Sequence, residues 1–250
     1  VPQWAPSIAE HLRAAGYETH AVVDNVLLEP RSGFGKGFET FFQKSGFRFV
    51  FSLPSFRLLP GWAHDALKTA LKTSDFGSQG VADESIARIK TSGPAPLFLF
   101  VHFMDPHEPY YPHAEFESAP EQGEPIDFEA TCDGLRDGAA SMRPTPAQLI
   151  WLENRYRQEV QSADVDIGRL IGAWHEKFGR RGVIMLTADH GEEFLDHGRL
   201  CHGFTVHREM VHVPLILETP EGRLPADRSI GHVDVPVGHI DVVPTMLDVV

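Results

Sequence analysis

Apolar residues along this chain recur in two rhythms. The first has helical spacing: Leu149, Leu152, Tyr156, Val160, Ala163, Ile167, Leu170 and Trp174 stand three or four positions apart until Gly179. That period predicts a long amphipathic helix packed on a sheet. Its start is marked by Thr145-Pro146-Ala147-Gln148, a capping box with proline at the first helical position, where a missing N–H costs nothing. Glu153, Arg157 and Glu159 then read as the solvated face of the helix. Pro6 to Ala15 predicts another helix, ended at Gly16, and His20 to Val23 predicts the strand that follows it.

The second rhythm is a short continuous apolar run. Leu97 to Phe103 follows the breaker Gly93-Pro94-Ala95-Pro96, and Val183 to Thr187 lies between Gly182 and Gly191. Runs of this length between glycines and prolines read as buried strands, the second of them as a central one. Helices alternating with strands predict a layered α/β fold with a mainly parallel sheet. Phe47 to Trp62 is rich in phenylalanine and reads as a loop folded onto the core, with a cleft wall as the alternative. Pro109 to Thr145, rich in proline, glycine and acids, reads as an irregular surface excursion.

Composition narrows the classes of function. With 42% hydrophobic residues in 250, the chain can bury a substantial core as a single domain, residues 1–250. A formal charge of -13 argues against a nucleic-acid partner, which would require a basic face to displace counterions from phosphate. No apolar run approaches the roughly 20 residues of a transmembrane helix, and no signal peptide is visible. Cys132 and Cys201 are far apart, with neither metal-finger spacing nor a disulfide framework. The compartment therefore stays open between periplasmic, secreted and cytoplasmic, and so does the oligomeric state.

Candidate chemistry collects where the two runs end. Asp189 and His190 stand just past the C-terminal end of one predicted strand, and His107 stands in the loop after the other. Ligands of open α/β sheets gather outside these carboxyl ends. A carboxylate beside an imidazole suits a divalent ion such as Ca²⁺, Mg²⁺, Mn²⁺ or Zn²⁺. The alternative is that Asp189 caps a helix beginning near Glu192, with His190 as a satisfied core histidine. Pro106 and Pro109 flank His107 and stiffen the backbone that aims its ring. Two such strand ends point to one shared site.

These residues carry a resemblance to the sulfatase family of the alkaline phosphatase superfamily, and it runs in order along almost the whole chain. Ile8-Ala9-Glu10-His11-Leu12-Arg13-Ala14-Ala15-Gly16-Tyr17-Glu18-Thr19 is similar to the family's helix-Gly-Tyr-x-Thr segment, and Gly37-Phe38-Glu39-Thr40-Phe41 to its Gly-Phe-Asp-x-Phe step. Phe100 to Tyr110 resembles its His-x-x-x-Pro-His-x-Pro-Tyr signature, and Tyr156, Glu159, Val160, Asp164, Ile167 and Gly168 its long-helix pattern. Thr187-Ala188-Asp189-His190-Gly191-Glu192 resembles the family's metal segment. Val213-Pro214-Leu215-Ile216 and Ile240-Asp241-Val242-Val243-Pro244-Thr245 resemble its closing motifs. Each motif alone is weak; seven in register are specific.

The resemblance implies an alkaline-phosphatase-like layered fold and a sulfuric ester hydrolase acting on a small-molecule or glycan sulfate ester. Asp189 and His190 would be two ligands of a single divalent cation, Ca²⁺ or Mg²⁺ with Mn²⁺ as an alternative, that polarises the ester oxygen. His107 would contact the ester and help the leaving group depart. His202, in His202-Gly203, would bind substrate where many relatives place a lysine. His197 would be a further substrate contact or, alternatively, a hydrogen-bonded loop histidine.

The family's nucleophile, a cysteine oxidised to formylglycine, lies in a Cys/Ser-x-Pro-x-Arg motif before the helix that here begins near Pro6. A pair of aspartates completing the metal site lies further upstream. Neither motif occurs in this chain, which opens on Val1 and closes inside the apolar pattern Met246 to Val250, so both ends read as cut and the isolated chain as inactive. Cys132-Asp133-Gly134-Leu135-Arg136 reproduces the nucleophile's Cys-to-Arg spacing but lacks its proline and follows His107, so it is not read as the nucleophile. Asp24-Asn25-Val26 stands near where many members carry a Gly-Lys-x-His segment, which leaves the ester class open. The alternatives are a phosphomonoester, phosphodiester or phosphonate hydrolase on the same scaffold, or a non-catalytic metal- or anion-binding module if the chain is complete.

Overall fold

A computed structural model describes residues 6–25, 27–44, 78–108, 110, 116, 123–126, 131–132, 135, 143–220, 223 and 231–250. The predicted loop from Phe47 to Trp62 lies outside the described residues, and so does most of the excursion from Pro109 to Thr145. The chain divides into two compact units. One is Val1–His107 with Glu159–Lys177, and the other is Glu108–Gln158 with Phe178–Val250.

In the first unit, Ser7 and Glu10 start helix α1 (Ile8–Ala14). The Ser7 hydroxyl accepts the Glu10 amide at 3.1 Å, and the Glu10 carboxylate accepts the Ser7 amide at 2.8 Å, so two otherwise orphaned donors are satisfied. The helix ends at Gly16, whose φ of 90° is the left-handed stop that glycine adopts without strain. Strand β1 (Glu18–Val23) lies between β2 (Thr40–Gln43) and β3 (Leu97–His102), parallel to both. Ala21, Val22 and Val23 are almost wholly buried, the continuous burial expected of a middle strand in a parallel sheet.

Helix α2 (Ser78–Thr91) packs on β1 and β3 through the buried Val81, Ala82 and Ile89. Its first residue is fixed by Asp105, in the loop after β3, whose Oδ2 accepts both the amide and the hydroxyl of Ser78 at 2.8 Å. The second half of helix α3 (Pro146–Phe178) runs alongside. Arg169 joins Asp83 of α2 to Asp166, the latter at 2.7 Å, and the Lys177 ammonium donates to the Ser92 carbonyl at 3.2 Å. The predicted layering of helices on a parallel sheet is therefore present.

In the second unit, α3 starts at the predicted capping box: Thr145 and Gln148 exchange bonds of 2.9 and 3.2 Å. Strand β4 (Ile184–Thr187) pairs antiparallel with β7 (Leu215–Glu218) in a two-stranded ladder, separate from the parallel sheet. Between them come a hairpin of β5 (Glu193–Phe194) and β6 (Leu200–Cys201), helix α4 (Arg208–Val211) and, after β7, helix α5 (Val242–Val249). The core of this unit is Tyr110, Cys132, Leu152, Leu200 and Cys201, with Tyr156 and Phe194 packed against it. No helix among the described residues is long and apolar enough to cross a membrane.

Three readings of the sequence change. Val183 to Thr187, read as a buried central strand, supplies one half of a two-stranded antiparallel ladder among the described residues, with no residue of Ile184–Thr187 fully buried. Glu159, read as solvated, is 1% exposed, whereas Val160, read as buried, is 41% exposed. Leu152, Glu159, Ala163 and Asp166 are all buried and fall on one stripe, while Val160 is turned about 100° from it. The cysteines also pair: a disulfide joins Cys132 to Cys201 with a Cα–Cα distance of 6.3 Å. A separation of 69 residues hides that pairing, since only the folded core brings the thiols together. Tied up in this bond, Cys132 is no free nucleophile.

Candidate active site

The end of β4 is clamped from two sides. The Thr187 hydroxyl donates to the Pro214 carbonyl at 2.9 Å, and His239 Nε2 donates to the Ala188 carbonyl at 2.8 Å. Asp189 and His190 follow. Asp189 Oδ1 accepts the His190 amide at 3.0 Å. His190 Nδ1 lies 2.8 Å from the Gly191 carbonyl; a carbonyl only accepts, so Nδ1 carries the proton and Nε2 keeps its lone pair. That nitrogen lies 3.8 Å from Asp189 Oδ2. Both side chains are open to solvent, Asp189 at 80% and His190 at 37% exposure, so further ligands can reach them.

No helix begins near Glu192, and Asp189 caps none. The chain instead passes close to α4: the Gly191 amide donates to the Met210 carbonyl at 2.8 Å. A Cβ at Gly191 would lie 1.9 Å from the Glu209 carbonyl oxygen, so this approach requires glycine. Strand β5 follows directly.

His202 follows β6, next to Cys201, which holds the uncommon backbone angle φ 72°. The His202 ring stacks on that of His190 with centroids 4.3 Å apart. Its Nδ1 faces the Glu192 carboxylate at 3.2 and 3.3 Å and Glu108 at 3.7 Å. Glu192 is nearly buried, 5% exposed at its side chain, and also accepts the Tyr110 hydroxyl at 3.1 Å. The bond from Glu192 pushes the His202 pKa above its ordinary value, against an opposing desolvation. Burial, reinforced by the charges of Glu192 and Glu108, holds the Tyr110 hydroxyl protonated far above the usual phenol range.

Of the predicted site residues, Asp189, His190 and His202 come together here. His197 stands in another cluster, stacked on His207 at 3.8 Å with its Nδ1 against Glu209 Oε1. His107 is half-buried and ends the other unit, after Asp105 and a cis peptide to Pro106. Two partners of His202, Glu192 and Glu108, had no predicted role, and neither had Tyr110, which donates to Glu192. Glu192 and Tyr110 stand inside the motifs quoted above, but nothing in the sequence says that Glu192 is buried.

A family model described as Sulfatase matches residues 1–250. The chain is similar to the uncharacterized sulfatase YidJ of Escherichia coli (strain K12), 33% identical over 85 residues, which are 34% of this chain and 16% of that protein. Among solved structures it resembles one from Bacteroides thetaiotaomicron VPI-5482 assigned as a sulfatase, at TM-score 0.63 and 18% identity, over 100% of this chain and 53% of the other. It also resembles a 2-O GAG sulfatase, at TM-score 0.58 and 15% identity, over 88% of this chain and 47% of the other. At these identities the structural likeness is one of fold. The chain spans about half the length of these solved structures.

Proposed function

The chain belongs to the sulfatase family, with its layered alkaline-phosphatase-like α/β fold, and from this premise we propose that it carries part of the active site of a metal-dependent sulfuric ester hydrolase. The observation that carries the proposal is the pairing of His190 Nε2 with Asp189 Oδ2 at 3.8 Å, with His190 Nδ1 held by the Gly191 carbonyl. A backbone carbonyl on Nδ1 is the usual outer partner of a ligating histidine, since it fixes the tautomer and raises the basicity of Nε2. One carboxylate oxygen and one imidazole nitrogen, both open to solvent, fit part of the donor set of a divalent ion. Such an ion, Ca²⁺ or Mg²⁺ by the resemblance, polarises the ester oxygen when bound.

The protein's own groups do the rest. Glu192 accepts from Nδ1 of His202 and, by raising its pKa, favours the imidazolium, whose Nε2–H then donates to an anionic oxygen of the ester. Tyr110, kept protonated, donates to Glu192 and fixes the carboxylate that orients His202. By the resemblance, His107 has the role of assisting the leaving group and the family's nucleophile is a formylglycine. The similarity to a 2-O GAG sulfatase makes a sulfated sugar the substrate class we propose. The test is turnover of aryl sulfate, aryl phosphate and a sulfated disaccharide by the full-length protein, before and after chelation. Chelator-sensitive turnover that favours sulfate supports the reading; faster turnover of phosphate overturns it.

A further inference from the structure

Glu193, one residue beyond the group that holds His202, is the most isolated charge among the described residues. It is 0% exposed, and neither carboxylate oxygen has a hydrogen-bond partner among the described residues. An ionised carboxylate buried without a partner is among the least favourable arrangements in a folded chain. Such an orphan in an otherwise well-bonded hairpin is the kind of group a bound cation would satisfy.

Two imidazoles stand beside it. His197, in the turn of the β5–β6 hairpin, and His207, the residue before α4, each present a ligand atom. These two atoms and one Glu193 oxygen all lie within 4.8 Å of one another. The cluster also has an outer partner, since His197 Nδ1 meets Glu209 Oε1. A carboxylate there keeps the proton on Nδ1 and leaves the Nε2 lone pair for a metal.

We propose that Glu193, His197 and His207 bind a borderline divalent transition metal of the Zn²⁺ class, which staples the β5–β6 hairpin to α4. One carboxylate and two imidazoles suit Zn²⁺, Co²⁺ or Ni²⁺ rather than Ca²⁺ or Mg²⁺, which prefer oxygen ligands alone. Both histidines are exposed, which leaves a fourth position for water. The rings now stack within 12° of parallel. A metal lies in the plane of each imidazole it binds, so one ring turns on loading. His207 is the one to do so, since no hydrogen bond holds its ring among the described residues. The hairpin has strands of two residues each, too short to be rigid alone. Because Gly191 is bonded to Met210 of α4, stapling α4 also stiffens the loop that carries Asp189 and His190. The site stands independently of the esterase reading.

The experiment uses the full protein, stripped of metal and titrated with Zn²⁺ by calorimetry and with Co²⁺ by its visible absorbance. A D189A/H190A background removes the two ligands proposed above for the other cation. The expected result is one tight equivalent of Zn²⁺ in that background, weakened at least about 100-fold by H207A and by E193Q as ligands are lost. The E193Q protein without metal should melt at a higher temperature than its parent, because the orphan charge is gone, and Zn²⁺ should no longer raise that temperature. Unchanged Zn²⁺ affinity in both variants, or no Zn²⁺ bound in the D189A/H190A background, would overturn the site.

Discussion

Breaking the bond between Cys132 and Cys201 should loosen the second unit and impair His202 together. The bond closes a loop across a separation of 69 residues. In the chain-entropy treatment it removes about 2.1 + 1.5R ln 69 ≈ 15 cal/mol/K from the unfolded ensemble, or about 4.4 kcal/mol at 25 °C. Residual structure in the unfolded chain reduces this, so we expect a measured loss of about 2–4 kcal/mol. Both cysteines lie in the core cluster with Leu152, Tyr110 and Leu200, so the loss falls where the unit is densest. The assay is urea unfolding followed by tryptophan fluorescence, for which Trp151, packed against that cluster, is a local reporter. The parent with and without dithiothreitol is compared with a C132A/C201A pair. Reductant should lower the parent's midpoint close to that of the pair and leave the pair unmoved. Because His202 directly follows Cys201, the pair should also show a raised KM. A parent midpoint insensitive to reductant and equal to that of the pair would refute the reasoning.

Three further outcomes follow from the same geometry. E192Q removes the charge that holds His202 Nδ1, so the His202 titration midpoint seen by NMR should move down toward the ordinary histidine value, and kcat/KM should fall about 10–100-fold; an unmoved midpoint contradicts the assigned partner. L152A empties a wholly buried position in the core cluster and should lower unfolding stability by about 3 kcal/mol, read from the urea midpoint. The Glu10 carboxyl is held below its usual value, chiefly by the Ser7 amide. Its contribution is therefore present above the unfolded pKa and lost as pH falls through the lowered folded value, so E10Q should melt below the parent near pH 7, and the gap should close as pH falls below the ordinary carboxyl range.

What could be read from the chain was local. The capping box of Thr145, the stop at Gly16, and the strands near Leu97 and Ile184 follow from propensities and spacings within a few residues. The place of Asp189 and His190 just past a strand was legible for the same reason, since a strand end and its first loop residues are neighbours in sequence. What escaped depends on tertiary placement. The buried phase of α3 runs through Glu159 rather than Val160, a shift of one residue that composition cannot resolve. The pairing of Cys132 with Cys201, the burial of Glu192 against Tyr110 and His202, and the approach of His207 to Glu193 are all set by how distant segments pack.

The central claim is that Asp189 and His190 hold a divalent cation that serves sulfate ester hydrolysis. Its most direct test is kcat/KM for an aryl sulfate in the full-length protein, for the parent and D189A, with bound metal counted in both. The loss of a ligand to a cation that stabilises the transition state by about 3 kcal/mol should lower kcat/KM by at least about 100-fold, with a matching loss of Ca²⁺ or Mg²⁺. Unchanged turnover and unchanged metal content in D189A would contradict it.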